Sequence, residues 1–232
     1  MGLWAGAVMG QERIQPVYSI WDVVLGQSVA QVPEAEVSLI ACGTQGGPAA
    51  EILDRFEDFA TCAPEPSGLY EVTFSYDDEQ DYIALALDLE YKFLKGGTSI
   101  FAHPVVVSLL VDQAGIVQGR RIVTDDRIGD RERRTAVTLI RNFKARYTHW
   151  SLACADVPMR DGEQPVGNQF IHEHCDGTAP DGGSHIAIEA SYLRKKGQEG
   201  VNLETQTVNK GYFQSQTRYE EVLSPYVPAE AP

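Results

Sequence analysis

The sequence has few basic residues for its length and no long apolar run. Its 232 residues include 19 Lys and Arg against 33 Asp and Glu, which gives a formal net charge of −14. This charge opposes non-specific binding to nucleic acid or to an anionic membrane surface, and it favours neutral or basic partners. No stretch approaches the ~18 consecutive apolar residues of a membrane-spanning helix, so we expect no direct membrane span.

Several catalytic and cofactor motifs are also missing. No serine lies in a Gly-x-Ser-x-Gly sequence, and the glycine-rich segment 42–48 lacks the Gly-Lys-Ser/Thr ending of a phosphate-binding loop. The acidic segment 77–81 lacks the spacing of a calcium-binding EF-hand loop and is interpreted as a solvated loop. Because no motif identifies a set of catalytic residues, a non-enzymatic function without a cofactor is favoured.

Cysteine is scarce but even in number. Cys42 and Cys62 lie close in sequence, as do Cys154 and Cys175. The absence of a Cys-x-x-Cys spacing argues against a structural zinc site or a thioredoxin-like redox pair. Three disulfide connectivities are open for four cysteines, of which Cys42–Cys62 with Cys154–Cys175 is the simplest. Disulfides indicate an oxidising compartment, so we predict a periplasmic or extracellular protein.

The composition divides the chain into four segments. Leu3–Gly10 is apolar and rich in small residues, similar to the end of a secretory signal. We therefore predict a signal remnant or disordered amino terminus at 1–11 and an α+β subdomain at 12–127. A helix with antiparallel strands follows at 128–223, and a proline-rich tail at 224–232. Whether the middle segments form one domain or two stays open.

The strongest structural pattern lies at 101–125. Val105–Val111 is an almost unbroken aliphatic run, which predicts a strand covered on both faces. Asp112 suits the first position of a type I turn and Gly115 a positive φ, so a hairpin is predicted. The returning strand extends to Thr124, with Gly119 as a possible bulge.

Helices and further strands are predicted to surround this hairpin. Apolar residues recur at helical spacing in 49–59 and in 131–147, which predicts two amphipathic helices that cover the hairpin. Strand patterns follow at 150–157, 169–175, 185–193, 203–208 and 212–219. The turn Asn209–Gly211 is predicted to pair the last two strands. The predicted fold is α+β, with antiparallel sheet packed against two or three helices and stapled by two disulfides.

Two local patterns resemble a known class of envelope proteins. A predicted strand ending at Leu25-Gly26 precedes a predicted short helix that begins at Ser28, and a Val-Asp-x-x-Gly hairpin follows at 111–115. Together they resemble small periplasmic lipoproteins of outer-membrane assembly factors. The resemblance implies an assembly role in the cell envelope. No lipidation cysteine follows the apolar start, so a membrane anchor does not carry over.

The segment Phe170–Cys175 contains the most suggestive chemistry. On a strand, His172 and His174 project from the same face, and His185 opens the next strand pattern. Three converging imidazoles would suit zinc or copper. Alternatively, Ile171 and Cys175 face the core, which places the two histidines on a solvated face.

Two function classes follow from these patterns. The first is a secreted or periplasmic, non-enzymatic protein-binding module, acting as an accessory subunit of a membrane-associated complex or as an assembly or inhibitor factor. Its partner would be a protein, because sheet faces and edges commonly serve as docking surfaces. The alternative is a metal-dependent envelope enzyme that uses zinc or copper at His172, His174 and His185.

Overall fold

The structure is a computed structural model that describes residues 19–34, 37–76, 98–101, 103–125, 127, 130–196, 200–202, 207–209 and 213–224. Its strands, in chain order, are β1 (Val37–Cys42), β2 (Tyr70–Tyr76), β3 (Ser99–Ile100), β4 (His103–Val111), β5 (Val117–Thr124), β6 (Ala153–Asp156), β7 (Glu163–Gln164), β8 (Ile171–Thr178), β9 (Ser184–Lys195), β10 (Gly200–Asn202), β11 (Thr207–Asn209) and β12 (Gln214–Leu223). The predicted signal remnant, the acidic segment 77–81 and nearly all of the predicted tail lie outside the described residues.

One antiparallel sheet of ten strands dominates the described part of the chain. Eight strands follow the order β1-β2-β4-β5-β12-β9-β8-β6, while β3 pairs with β4 and β7 with β9. Strands β10 and β11 pair with each other separately. The α+β prediction is thus confirmed in part, since the antiparallel sheet is present but the described helices are few and short.

A single row of residues crosses all eight strands and forms the centre of the core. In spatial order the row is Ile40, Phe74, Val107, Ile122, Tyr219, Ile188, Cys175 and Cys154. All but Cys154 are buried. We call this side of the sheet the helix face, because the α-helices pack on it. The opposite side, which carries Arg121 and Glu220, is called the loop face.

The hairpin of β4 and β5 is confirmed. Val105–Val111 is buried along its whole length, as a strand covered on both faces should be. Asp112 accepts hydrogen bonds from the backbone N–H groups of Ala114 and Ile116, and Gly115 has a φ of 79°. The predicted bulge lies beside Gly119, because the pairing of β4 with β5 skips residue 118.

The predicted helix at 131–147 is interrupted. Helix α1 (Asp130–Ala136) and helix α2 (Leu139–Arg146) are separated by two residues, and the predicted apolar residues do face the sheet. The hydroxyl of Thr217 donates to Ala136 O at 2.8 Å, and Val137 N donates to Ser215 Oγ at 3.3 Å. Strand β12 therefore occupies backbone groups that a continuous helix would have used.

The prediction of a helix at 49–59 is wrong. Residues 50–53 are extended along β1, where Cys42 N donates to Glu51 O at 2.8 Å and Leu53 N donates to Ile40 O at 2.9 Å. The helical part is a 3₁₀-helix at Phe56–Thr61. Phe56 is buried, as the apolar pattern predicted, but Ile52 is 72% exposed. Backbone pairing with β1 outweighs the helical spacing of these side chains.

The predicted pairing of the last two strands is also wrong. Strand β11 pairs with β10, whereas β12 lies between β5 and β9. The chain halves on either side of residue 127 therefore share one sheet through β12. The predicted domain boundaries themselves stay a prediction.

Both disulfides are present, as Cys42–Cys62 and Cys154–Cys175. They use all four cysteines and indicate an oxidising environment. Cys42 ends β1 and is linked to the residue that follows the 3₁₀-helix, while Cys154 lies directly opposite Cys175 in the β6–β8 pair. Among the described residues, no helix has the length and apolar character needed to cross a membrane.

Candidate functional site

The three predicted histidine ligands each lie beside a carboxylate. His172 is buried on β8, and its Nε2 is 2.9 Å from Glu189 Oε1. His174 Nε2 is 2.7 Å from one oxygen of Asp176, and His185 Nε2 is 3.5 Å from the other. Ile171 and Cys175 lie on the core side, so the histidines occupy the loop face, where His174 and His185 are accessible but His172 is buried.

This arrangement brings His174 and His185 to one shared carboxylate and gives His172 a different one. His172 Nδ1 is buried, lies 4.0 Å from Glu163 Oε2 and has no hydrogen-bond partner among the described residues. An Nε2 that donates to Glu189 has no lone pair left for a metal, so coordination through that atom would require this contact to break. The three-histidine metal site stays a prediction.

A second group of metal-compatible side chains lies nearby. Cys154, Glu173 and Cys175 place potential ligand atoms within 4.8 Å of one another. Both sulfur atoms form the disulfide, and Glu173 pairs with Lys144 Nζ at 2.6 Å. Because a metal is bound by the thiolate, this group cannot act as a site while the disulfide is intact.

Strand β6 forms an open edge of the sheet. All four of its residues are exposed. Val157 N donates to His172 O on the neighbouring β8, so the alternating pattern turns the backbone groups of residues 153 and 155 toward β8. The N–H and C=O groups of Cys154 and Asp156 therefore point away from the sheet. They have no hydrogen-bond partner in the part of the chain that the structure describes.

The opposite edge, β1, is closed. Residues 50–53 pair along its carboxyl-terminal half, as described above. Its amino-terminal half contains a bulge at Ser38, which the pairing with β2 skips. Bulges and covering segments are the usual protection of an edge strand against pairing with other chains. Within the described residues, one edge of the sheet is thus covered and the other is open.

The loop face carries a buried charge network around Arg121. The Arg121 guanidinium contacts both oxygens of Glu65 at 2.5 and 2.9 Å, Glu71 Oε2 at 3.0 Å and Glu220 Oε2 at 2.8 Å. Arg218 contacts the same Glu220 oxygen at 3.0 Å. Burial alone would raise the pKa of Glu220, but the Arg121 and Arg218 guanidinium groups hold that pKa below its ordinary value.

The glycine-rich loop at 43–47 belongs to this network. The backbone N–H groups of Gln45 and Gly46 both donate to the carboxylate of Glu71, the second at 2.9 Å. A side chain at Gly46 would lie 2.2 Å from a methyl group of Val123, so this loop packs closely on the sheet. Consecutive backbone N–H groups form an anion-binding nest, and here the anion is the protein's own carboxylate.

The helix face carries a second buried polar cluster. Tyr219 donates to Glu221 Oε2 at 2.6 Å and lies 2.5 Å from the hydroxyl of Tyr147. Arg120 contacts the same Glu221 oxygen at 2.8 Å through both Nε and Nη2, and its Nη1 donates to Ile20 O at 3.2 Å. Burial raises the pKa of Tyr219 well above its ordinary value. The cluster links the 3₁₀-helix at Ile20–Asp22 to the sheet.

Sequence reasoning did not identify either charge network. The signal lies in two dipeptides of opposite charge, Arg120-Arg121 on β5 and Glu220-Glu221 on β12, each within a strand pattern. Adjacent residues of a strand face opposite sides, so each dipeptide supplies one charge to each face.

No protein-family model, curated protein or solved structure matches the chain.

Proposed function

We propose that the protein is a secreted or periplasmic, non-enzymatic binding module that adds an extended segment of a protein partner to β6. The observation that carries this proposal is the outward direction of the Cys154 and Asp156 backbone groups on an open edge. Backbone pairing with an added strand supplies affinity, and side-chain contacts on alternate positions supply specificity. The disulfide to Cys175 holds β6 in place to receive the segment.

The partner segment is expected to be basic. Asp156 on β6 and Asp176 on β8 are both exposed, and the whole chain carries a net charge of −14. The same charge on two copies of this chain opposes β6-to-β6 pairing, whereas it accelerates the approach of a positively charged partner. On the loop face, β6 carries only the small side chains of Ala153 and Ala155, so an added strand meets no bulky side chain there.

The two disulfides support a location in the periplasm or outside the cell. In that setting, strand addition suits an accessory subunit of a membrane-associated complex or an assembly or inhibitor factor. Each of these roles requires stable binding of a partner segment and no catalysed reaction.

The test is selection of peptides from a displayed library of random linear sequences against the purified protein. Selected peptides should be rich in lysine, arginine and β-branched residues. Asp156→Pro removes the outward N–H while the β8-facing groups of β6 stay in place, so it should weaken peptide binding by at least about tenfold, or ~1.4 kcal/mol. Asp156→Asn keeps that N–H and serves as the matched control.

Two results would contradict the proposal. One is a set of selected peptides that bind Asp156→Pro as tightly as the unchanged protein. The other is a protein that forms a dimer in light scattering and becomes a monomer in Asp156→Pro, which would assign the edge to a second copy of the chain.

A metal-binding function is the second candidate, favoured by the contact of His174 and His185 with one carboxylate. A zinc or copper ion could replace the protons between these imidazoles and Asp176. Elemental analysis and zinc titration of the purified protein test this candidate. Stoichiometric metal that is lost in His174→Ala and His185→Ala, but kept in the exposed control His149→Ala, would support it. Metal-free protein that does not respond to added zinc would reject it.

A further inference from the structure

A pocket of about 310 Å³ opens on the loop face, between β4, β12 and β9. Its apolar surface comes from Leu69, Leu110, Val222 and Leu223, and its walls carry the carboxylates of Glu65 and Glu220. The pocket therefore combines an apolar floor with acidic walls.

A row of residues across the sheet borders this pocket. Gly119 on β5 lies between Leu110 on β4 and Val222 on β12, and the same row continues to His185 on β9. A Cβ atom at position 119 would lie 2.4 Å from the backbone oxygen of Glu221 and 3.1 Å from Val222 Cγ2, so no side chain fits there. The other members of the row, Leu110, Val222 and His185, line the pocket.

The charge at the pocket is negative. The carboxylates of Glu65, Glu71 and Glu220 outnumber the guanidinium groups of Arg121 and Arg218 by one. The Arg121 side chain is only 3% exposed, so a ligand in the pocket meets the carboxylates rather than the guanidinium group. Glu220 Oε2 accepts from both arginines, while its Oε1 makes no hydrogen bond in the described part of the chain. One carboxylate oxygen is therefore free to receive a donor.

We infer that this pocket binds a primary ammonium group on a short hydrocarbon chain, as in a lysine side chain or a simple alkylamine. The ammonium group brings three donors and a positive charge to Glu220 and Glu65, and the methylene groups cover the apolar floor. The net charge of −14 raises the local concentration of such cations. A carboxylate ligand of the same length would be repelled.

The pocket and the β6 edge are separate sites. The pocket reaches β9 at His185, and β8 lies between β9 and β6. At about 4.8 Å per strand, the edge is therefore roughly 10 Å from the nearest wall of the pocket. Ammonium binding goes beyond the proposed strand addition, and Asp156→Pro should leave it unchanged.

The test uses three probes of equal length: n-butylammonium, n-butanol and butanoate. Each is titrated into uniformly ¹⁵N-labelled protein while backbone amide shifts are followed by NMR. The ammonium probe should shift the amides of Glu220, Leu223 and Ser224, and added salt should weaken the effect because the charges are partly screened. Ser224→Tyr places a bulky ring at the exposed rim of the pocket and should reduce the affinity at least about tenfold. Ser151→Tyr is the control at an exposed site elsewhere.

A lysine-containing peptide and its N-acetyl-lysine counterpart distinguish the two sources of the ligand. Competition by the lysine peptide, lost on acetylation, assigns the pocket to a protein side chain. Binding of butylammonium without competition by the peptide assigns it to free amines. The inference is overturned if butanol or butanoate produces the same shifts as butylammonium, if none of the probes binds, or if Ser224→Tyr binds butylammonium normally.

Discussion

Arg121 on β5 stands directly opposite Glu220 on β12, and its Nε donates to Glu220 Oε2 at 2.8 Å inside the sheet. This pair lies where the two halves of the chain meet. Because Arg121 also holds Glu65 and Glu71, one cation joins a loop and three strands. Its removal would leave three carboxylates without their main partner.

Arg121→Met is therefore expected to lower the free energy of unfolding by about 3–5 kcal/mol, the cost of breaking a buried ion pair on one side. Urea denaturation followed by circular dichroism measures this change. Arg218→Met is the matched control, because Arg218 is 28% exposed and contacts the same Glu220 oxygen. Its loss should cost about 1 kcal/mol or less. Equal costs for the two variants would show that burial of Arg121 does not matter.

Stability should fall in acid partly through Glu220. Its pKa in the folded protein lies below the unfolded value of about 4.3, so its contribution is fully present above that pH. As the pH decreases through the folded pKa, Glu220 becomes protonated and this contribution is lost. The free energy of unfolding is measured in urea across the acid range. Glu220→Gln should show a shallower decrease than the unchanged protein, whereas Glu57→Gln, at an exposed carboxylate, should show the same decrease.

The two disulfides should stabilise the folded protein by similar amounts but constrain different segments of the chain. They close loops of 20 and 21 residues, so each should contribute about 3 kcal/mol in the chain-entropy model. The double variant Cys154→Ala/Cys175→Ala should also lose hydrogen-exchange protection in 153–157, while Cys42→Ala/Cys62→Ala should keep it.

Intact mass after alkylation of the unreduced protein should show no modified cysteine. Four alkylated thiols would contradict both bonds.

Tyr219→Phe tests the polar cluster of the helix face. It removes the hydroxyl that donates to Glu221 and contacts Tyr147, and it leaves both groups buried. Loss of about 1–3 kcal/mol is expected from unfolding experiments. Tyr192→Phe is the control, because Tyr192 packs on Phe213 on the same sheet face and its hydroxyl makes no hydrogen bond within the described ranges. A loss in the control as large as that in Tyr219→Phe would remove the special role of the cluster.

Sequence patterns predicted the features that depend on neighbouring residues. The nearly unbroken aliphatic run at Val105–Val111 marked a buried strand because few other environments accept six aliphatic residues within seven positions. Asp112 and Gly115 specified the turn through their own side-chain and backbone chemistry. The cysteine pairing agreed with the simplest connectivity because each pair is close along the chain.

The remaining features depend on contacts between distant segments. Residues 50–53 have helical spacing, but the free backbone groups of β1 draw them into an extended conformation. The helix at 131–147 breaks because hydroxyl groups of Ser215 and Thr217 reach its backbone from β12. The periodicity of the sequence identifies neither β1 as the partner of residues 50–53 nor β12 as the partner of residues 131–147. The same limit applied to Arg121, whose partners at 65, 71 and 220 come from three distant parts of the sequence.

The position of β12 determines when the sheet can be completed. Strands β4 and β5 can pair soon after synthesis, and β8 can pair with β9, because each pair is joined by a short connection. The bridge between the two groups is made of residues 214–223, which are synthesised after all of the other strands of the ten-stranded sheet. Until they emerge, β5 and β9 each expose an unpaired edge. Such edges pair readily with other chains, so cell-free translation of fragments ending before residue 214 should yield aggregates, whereas fragments that include β12 should stay dispersed.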